Sequence, residues 1–158
     1  MMEIQAKTVF SPTLLIVDDN ETILDLLELL LSNHGLRVLR AQNGHKCLEI
    51  VQRQPVDLVI LDVMMPEMDG IKVTAELKRL LPSLPIILVT AKDDLATRAA
   101  AMALGVSEFV TKPIYNRDLL QRVQVQISIR QWEMEMERTV ASVTRLAQAE
   151  PGKIEVKA

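Results

Sequence analysis

The chain has 158 residues, 49% hydrophobic and 25% charged, with a formal charge of -3. That length suffices for one domain with a packed core. The mild acidic excess argues against the basic footprint that direct nucleic-acid binding needs. A single cysteine, Cys47, has no partner for an internal disulfide, which fits a reducing compartment. The opening segment carries Glu3 and no long apolar run, so no secretory signal is expected. The greasiest stretch, 23–31, is interrupted by Asp25 and Glu28 and is too short to cross a bilayer. A soluble cytoplasmic protein is expected.

Apolar runs of strand length alternate along the chain with segments of helical period. The run 14–17 opens the pattern. After it, Asn20 is placed to cap a helix whose Ile23, Leu26, Leu27, Leu30 and Leu31 share one face, with Gly35 as a left-handed stop. A strand over 36–41 leads to a helix over 44–54. A third strand over 57–61 precedes a helix over 70–80, ended by Pro82. The run 85–90 is the fourth strand, and the Ala-rich segment 95–104, closed by Gly105, the fourth helix. A fifth strand over 107–111 stops at Pro113, and a last, long helix starts near Asn116. Strict alternation of five strands and helices implies a parallel sheet covered on both faces. The expected fold is α/β: a flavodoxin-like, doubly wound five-stranded parallel sheet with an extended C-terminal helix.

Parallel strands deliver their carboxyl ends to one edge, where such folds bind ligands. The first strand is followed there by Asp18 and Asp19, the third by Asp62, the fourth ends in Thr90, and the fifth leads to Lys112. Three carboxylates in a small space repel unless a cation neutralises them. A hard ion such as Mg²⁺ suits one or two carboxylates and retained waters. A hydroxyl and an ammonium beside it are the groups a phosphoryl needs for hydrogen bonding and charge neutralisation. With no Ser, Cys or His nucleophile at these strand ends, ionised Asp62 is the candidate to attack phosphorus and form an acyl phosphate.

Asp18-Asp19, Asp62 followed by "MMPEMDG", Thr90-Ala91 and Lys112-Pro113 together resemble the receiver domain of two-component response regulators, the CheY-like type. The resemblance covers roughly 12–128. It implies that Asp62 accepts a phosphoryl group from a sensor histidine kinase or phosphotransfer protein. Asp18, Asp19, Asp62 and the backbone carbonyl of Met64 would then ligate Mg²⁺. It further implies that Thr90 and Lys112 bind the phosphoryl oxygens, and that Thr90 and Phe109 form the switch. Met64 and Lys92 fall at the positions that modulate the lifetime of the phosphorylated state, and the Lys112-Pro113 bond is expected to be cis. Gly70 and Pro113 are read as structural. Because Met64 offers no group to orient an attacking water, self-dephosphorylation is expected to be slow, and the chain to act as an acceptor without enzymatic turnover.

His34, beside Gly35 at a helix end, and His45 lie off the carboxyl edge and are read as structural. Cys47 is read as a small packing residue, and Met64, Met65 and Met68 as loop packing, since thioethers ligate Mg²⁺ poorly. Asp69 is placed near the start of the third helix. Beyond the core, Ile129, Trp132, Met136, Thr139, Val143 and Leu146 recur at alternating spacings of three and four. This divides the chain into an N-terminal tail (1–11), a receiver (12–128), a helical extension (129–150) and a disordered tail (151–158). The extension is expected to pair with a second copy as a short coiled coil; the alternatives are folding back on its own chain or linking to an output domain. The downstream reader is therefore a protein target or the chain itself. One alternative is that the chain is a receiver fragment of a larger regulator or hybrid kinase. Another is a Mg²⁺-dependent phosphatase with an Asp nucleophile, which would place a second acid where Met64 stands. A nucleotide-binding domain would need a Gly-rich loop where "VDDNET" stands.

Overall fold

The computed structural model describes residues 10–65, 69–91, 94–106 and 108–149. Lys92, Pro66, Met68, Ser107 and the terminal segments 1–9 and 150–158, on which several of the expectations above fall, lie outside the described residues.

Five strands and five helices alternate: β1 (Thr13–Val17), α1 (Glu21–Ser32), β2 (Arg37–Ala41), α2 (Gly44–Arg53), β3 (Leu58–Asp62), α3 (Gly70–Leu80), β4 (Ile86–Thr90), α4 (Leu95–Ala103), β5 (Glu108–Thr111) and α5 (Asn116–Ala149). All neighbouring strands are parallel, in the order β2-β1-β3-β4-β5. The three central strands, β1, β3 and β4, are buried along their whole length. A two-sided burial of this kind requires the unbroken apolar runs seen in the sequence.

Alternate side chains of each strand feed two cores. Leu15, Val17, Val59, Leu61 and Leu88 pack with Cys47 and Val51 of α2, Val73 and Leu77 of α3, and Ala101 of α4. On the opposite face Leu14, Ile16, Ile60, Ile87, Val89 and Val110 pack with Leu24, Leu27 and Leu31 of α1 and Leu119 and Val123 of α5. Each fully buried leucine or isoleucine contributes about 1.5–3 kcal/mol relative to exposure. The cores thus hold the strand ends in fixed register.

Helix starts are capped as their residue types dictate. The Asn20 side chain accepts from Thr22 N and Ile23 N, and that of Asp69 from Ile71 N and Lys72 N. Gly35 adopts φ +77°, a conformation that other side chains rarely enter.

Two details differ from the sequence reading. Leu26 is 61% exposed and Leu24 takes its place in the core. The helix carries apolar residues on more than one face, so periodicity alone did not select the inward one. β3 runs from Leu58 through Asp62, one residue later than expected. Asp57 instead turns its carboxylate onto the first strand, accepting from Thr13 N at 2.9 Å. The extension continues α5 as an unbroken helix to Ala149, and residues 135–149 are exposed throughout.

Candidate functional site

Register assembles the carboxyl edge. Val17 pairs with Leu61, so the chain brings Asp18 and Asp62 side by side on leaving β1 and β3. Asp62 in turn pairs with Val89, which places Thr90 one step beyond it. Thr90 pairs with Thr111, and the next residue, Lys112, donates its backbone N–H to Thr90 O at 2.9 Å. The four strand ends named in the sequence reading therefore converge.

Carboxylate oxygens of Asp18, Asp19 and Asp62 lie within 4.8 Å of one another. Their environments differ. Asp18 is 4% and Asp62 3% exposed, whereas Asp19 faces solvent. Asp18 Oδ1 accepts from Asn20 N at 2.9 Å, tying the cluster to the first turn of α1. Both oxygens of Asp62 are engaged: Oδ1 accepts from Met64 N and Oδ2 from Lys112 Nζ, each at 2.8 Å. These are charge-assisted contacts, short and directional. Asp18 is pushed up to about 6, chiefly because burial penalises its charge and then because Asp62 stands beside it; the Asn20 N–H works in the opposite direction.

A hard divalent cation fits this donor set. It would relieve both the desolvation of Asp18 and its repulsion with Asp62, through oxygen ligands alone. Thr90 is fully buried at the strand end. Phe109 is half-buried and packs against the core under α2, α3 and α4. The Lys112-Pro113 bond is cis. Met64 is half-exposed, and Met65 points into the core. Cys47 is buried, which pushes its thiol up to about 12, in keeping with a packing role. His34 Nδ1 is 2.9 Å from Leu30 O, at the end of α1 and away from the site.

One contact was missed. Arg98 on α4 donates from Nε to Thr90 Oγ1 at 3.3 Å. In the sequence this arginine reads as one cation in an Ala-rich helix, and only the seating of α4 against β4 reveals the contact.

A family model described as the response regulator receiver domain matches residues 14–124. The chain belongs to this family. The receiver is 40% identical over 110 residues to the transcriptional regulatory protein GlrR of Escherichia coli K12, covering 70% of this chain and 25% of that protein. It is 36% identical over 111 residues to the alkaline phosphatase synthesis transcriptional regulatory protein PhoP of Bacillus subtilis, covering 70% of this chain and 46% of that one. The receiver thus spans a quarter to about half of these relatives. Among solved structures it superposes on the signal receiver domain of an HD domain-containing protein from Pseudomonas fluorescens Pf-5, with TM-score 0.76 and 30% identity over 84% of this chain and 98% of that one. A CheY-like receiver from Methanospirillum hungatei JF-1 gives TM-score 0.75 and 26% identity, covering 78% of this chain and 99% of that one. No helix among the described residues is long and apolar enough to cross a membrane.

Proposed function

We propose that Asp62 accepts a phosphoryl group from a phosphohistidine on a sensor kinase or phosphotransfer protein, and that the modified receiver presents an altered surface to its reader. The observation that carries this is a buried aspartate held 2.8 Å from Lys112 and within 4.8 Å of two further carboxylates, at the carboxyl edge of a parallel sheet. An oxygen of Asp62 attacks phosphorus, the P–N bond breaks, and the histidine nitrogen leaves with the bonding pair. Asp18, Asp19, Asp62 and the Met64 carbonyl would hold Mg²⁺, which supplies charge neutralisation at the transferring group. Lys112 pairs with the phosphoryl oxygens, and Thr90 donates its hydroxyl hydrogen to one of them. Phe109 adjusts as Thr90 is drawn towards the site. This is an acceptor's chemistry, with no turnover of a small substrate and slow self-dephosphorylation past Met64.

A groove of 560 Å³ beside the site suits the phosphodonor. Ile23, Leu26, Leu29 and Leu30 of α1 line it together with Lys112 and Ile114. A helix from the donor laid there would bring its phosphohistidine to the Lys112 side of Asp62. The reader we favour is a second copy of the chain. Val125, Ile129, Trp132, Met136, Val140 and Val143 are all exposed along the face of α5 turned away from Leu119 and Val123. That spacing is self-complementary in a two-stranded coil. The receiver at 12–128 would carry the switch and the extension from 129 its output, whether alone or within a longer regulator.

The deciding experiment is incubation with phosphoramidate and Mg²⁺, followed by intact mass. One phosphoryl per chain is expected, and none in Asp62→Ala. Equal labelling of both would sink the assignment.

A further inference from the structure

Thr90 Oγ1 carries one hydrogen and two lone pairs. Arg98 Nε–H occupies a lone pair at 3.3 Å, which leaves the hydrogen free. A hydroxyl that accepts from a cation becomes a stronger donor, because linked hydrogen bonds polarise one another where the local dielectric is low. Thr90 is fully buried, so this condition holds. The backbone beneath it is fixed as well, since Thr90 O accepts from Lys112 N at 2.9 Å.

Arg98 is itself well placed. It lies on the first turns of α4, whose cap Asp94 accepts from Thr97 N at 3.0 Å. The two hydrogen bonds from Thr97 hold the Asp94 carboxyl below its usual range, and the Arg98 charge adds to that effect. The guanidinium therefore stands between a helix cap and the end of β4.

The charges of the site call for such a group, if Asp62 is the phosphoacceptor as proposed above. With a divalent ion and Lys112, the three carboxylates of the resting site are balanced. Replacing the Asp62 charge by a dianionic acyl phosphate leaves one negative charge in excess. Among the described residues, Arg98 is the cation that touches Thr90, whereas Lys112 touches Asp62.

We infer that Arg98 is a positioning residue for phosphorylation: its guanidinium orients and polarises the Thr90 hydroxyl, which passes that positive character to a phosphoryl oxygen on Asp62. The inference rests on the phosphoacceptor reading. It predicts that Arg98 stabilises the phosphorylated form through Thr90 and not by a general effect on the fold.

The test is a double-mutant cycle with beryllofluoride and Mg²⁺ on the full chain, followed by ¹⁹F NMR. Arg98→Met should weaken beryllofluoride binding roughly ten-fold, the scale of a charge-assisted hydrogen bond. Arg98→Lys should recover part of the loss. In a Thr90→Ala background Arg98→Met should change binding by less than about two-fold, as expected when one residue acts through the other. In the ion-free protein the Thr90 methyl resonance should move in Arg98→Met, a readout independent of the bound mimic. Tighter binding by Arg98→Met would make the arginine a brake and overturn the inference. Equal losses with and without the Thr90 hydroxyl would overturn it too. If the unsubstituted chain fails to bind beryllofluoride, the phosphoacceptor reading falls first and takes the relay with it.

Discussion

Lys112 Nζ lies 2.8 Å from Asp62 Oδ2, yet the lysine side chain is 34% exposed and the aspartate side chain only 3%. The pair is asymmetric: the lysine keeps part of its hydration, whereas the aspartate depends on its partners. Lys112→Met should therefore destabilise the ion-free protein by about 1–3 kcal/mol, the cost of leaving a buried acceptor short of a partner. Added Mg²⁺ should recover part of that loss. Urea unfolding midpoints with and without the ion measure both effects, and an unchanged midpoint in the ion-free variant would contradict the argument.

A pH dependence follows from Asp18, whose carboxyl is pushed up to about 6 by burial and by Asp62. Between the ordinary 3.8 and about 6 the folded chain holds this proton more tightly than the unfolded chain. Stability from this group is thus present below that window and lost as pH rises through it. Above about pH 6 the charged cluster is at its most costly, so Mg²⁺ should raise the melting temperature most there. Calorimetry at pH 5 and pH 7.5, with Mg²⁺ and with chelator, should show the larger gain at pH 7.5. A larger gain at pH 5 would reverse the sign and refute the account.

Gly70 is where the loop from Asp62 returns into α3, and a Cβ there would meet Val63 Cα, Cβ and Cγ1 at 2.8 Å. Two of these neighbours belong to the stiff base of a β-branched residue next to Asp62. Gly70→Ala should cost about 1–3 kcal/mol by overpacking. It should also weaken Mg²⁺ binding by displacing Val63 and hence Asp62. Chemical denaturation and a metal titration read the two effects separately.

Met64 follows Asp62 by two residues and is half-exposed, and its side chain offers only a thioether. Met64→Asn or Met64→Glu should speed phosphoryl loss several-fold by giving water a hydrogen-bonding partner, whereas Met64→Leu should leave it unchanged. Timed decay of the phosphorylated chain would falsify the idea if all four proteins lost phosphate at one rate.

Trp132, the only tryptophan in the chain, is 61% exposed on the outer face of α5. If that face pairs with a second copy, its fluorescence should shift to shorter wavelength and resist acrylamide as concentration rises. Light scattering with and without beryllofluoride should report a dimer under the same conditions. Trp132→Glu should keep the chain monomeric, and a dimer that survives this change would place the contact elsewhere.

The acidic edge was legible because its members stand at strand ends, and strand ends are set by local apolar runs. Asp18 and Asp19 were not distinguishable in the same way. They are adjacent carboxylates, and only the register of β1 against β3 turns one inward. Leu24 and Leu26 were confused for a related reason. Helix α1 is apolar on several faces, and which face is buried depends on the sheet it meets. The Arg98 contact was hidden because it is tertiary: Arg98 lies eight positions after Thr90, on another element. Local pattern thus located the groups on strands, while the way the helices are seated decided the partners they meet.

Helix α5 begins four residues after Lys112 and runs without a break to Ala149. Arg130, one residue into the extension, lies 3.8 Å from Asp57 at the opposite end of the strand that carries Asp62. The rod is thus seated at its base near the site and braced only loosely at the far edge of the sheet, by an ion pair at 3.8 Å. Beyond Arg130 the helix is largely exposed, which is the geometry of a lever arm. At a rise of about 1.5 Å per residue the free part is roughly 30 Å long, so a tilt of about 5° at the brace displaces the tip by roughly 3 Å. About the same pivot the arm back to Asn116 is roughly 21 Å, so a shift at the base of the helix would reach the tip enlarged by only about half.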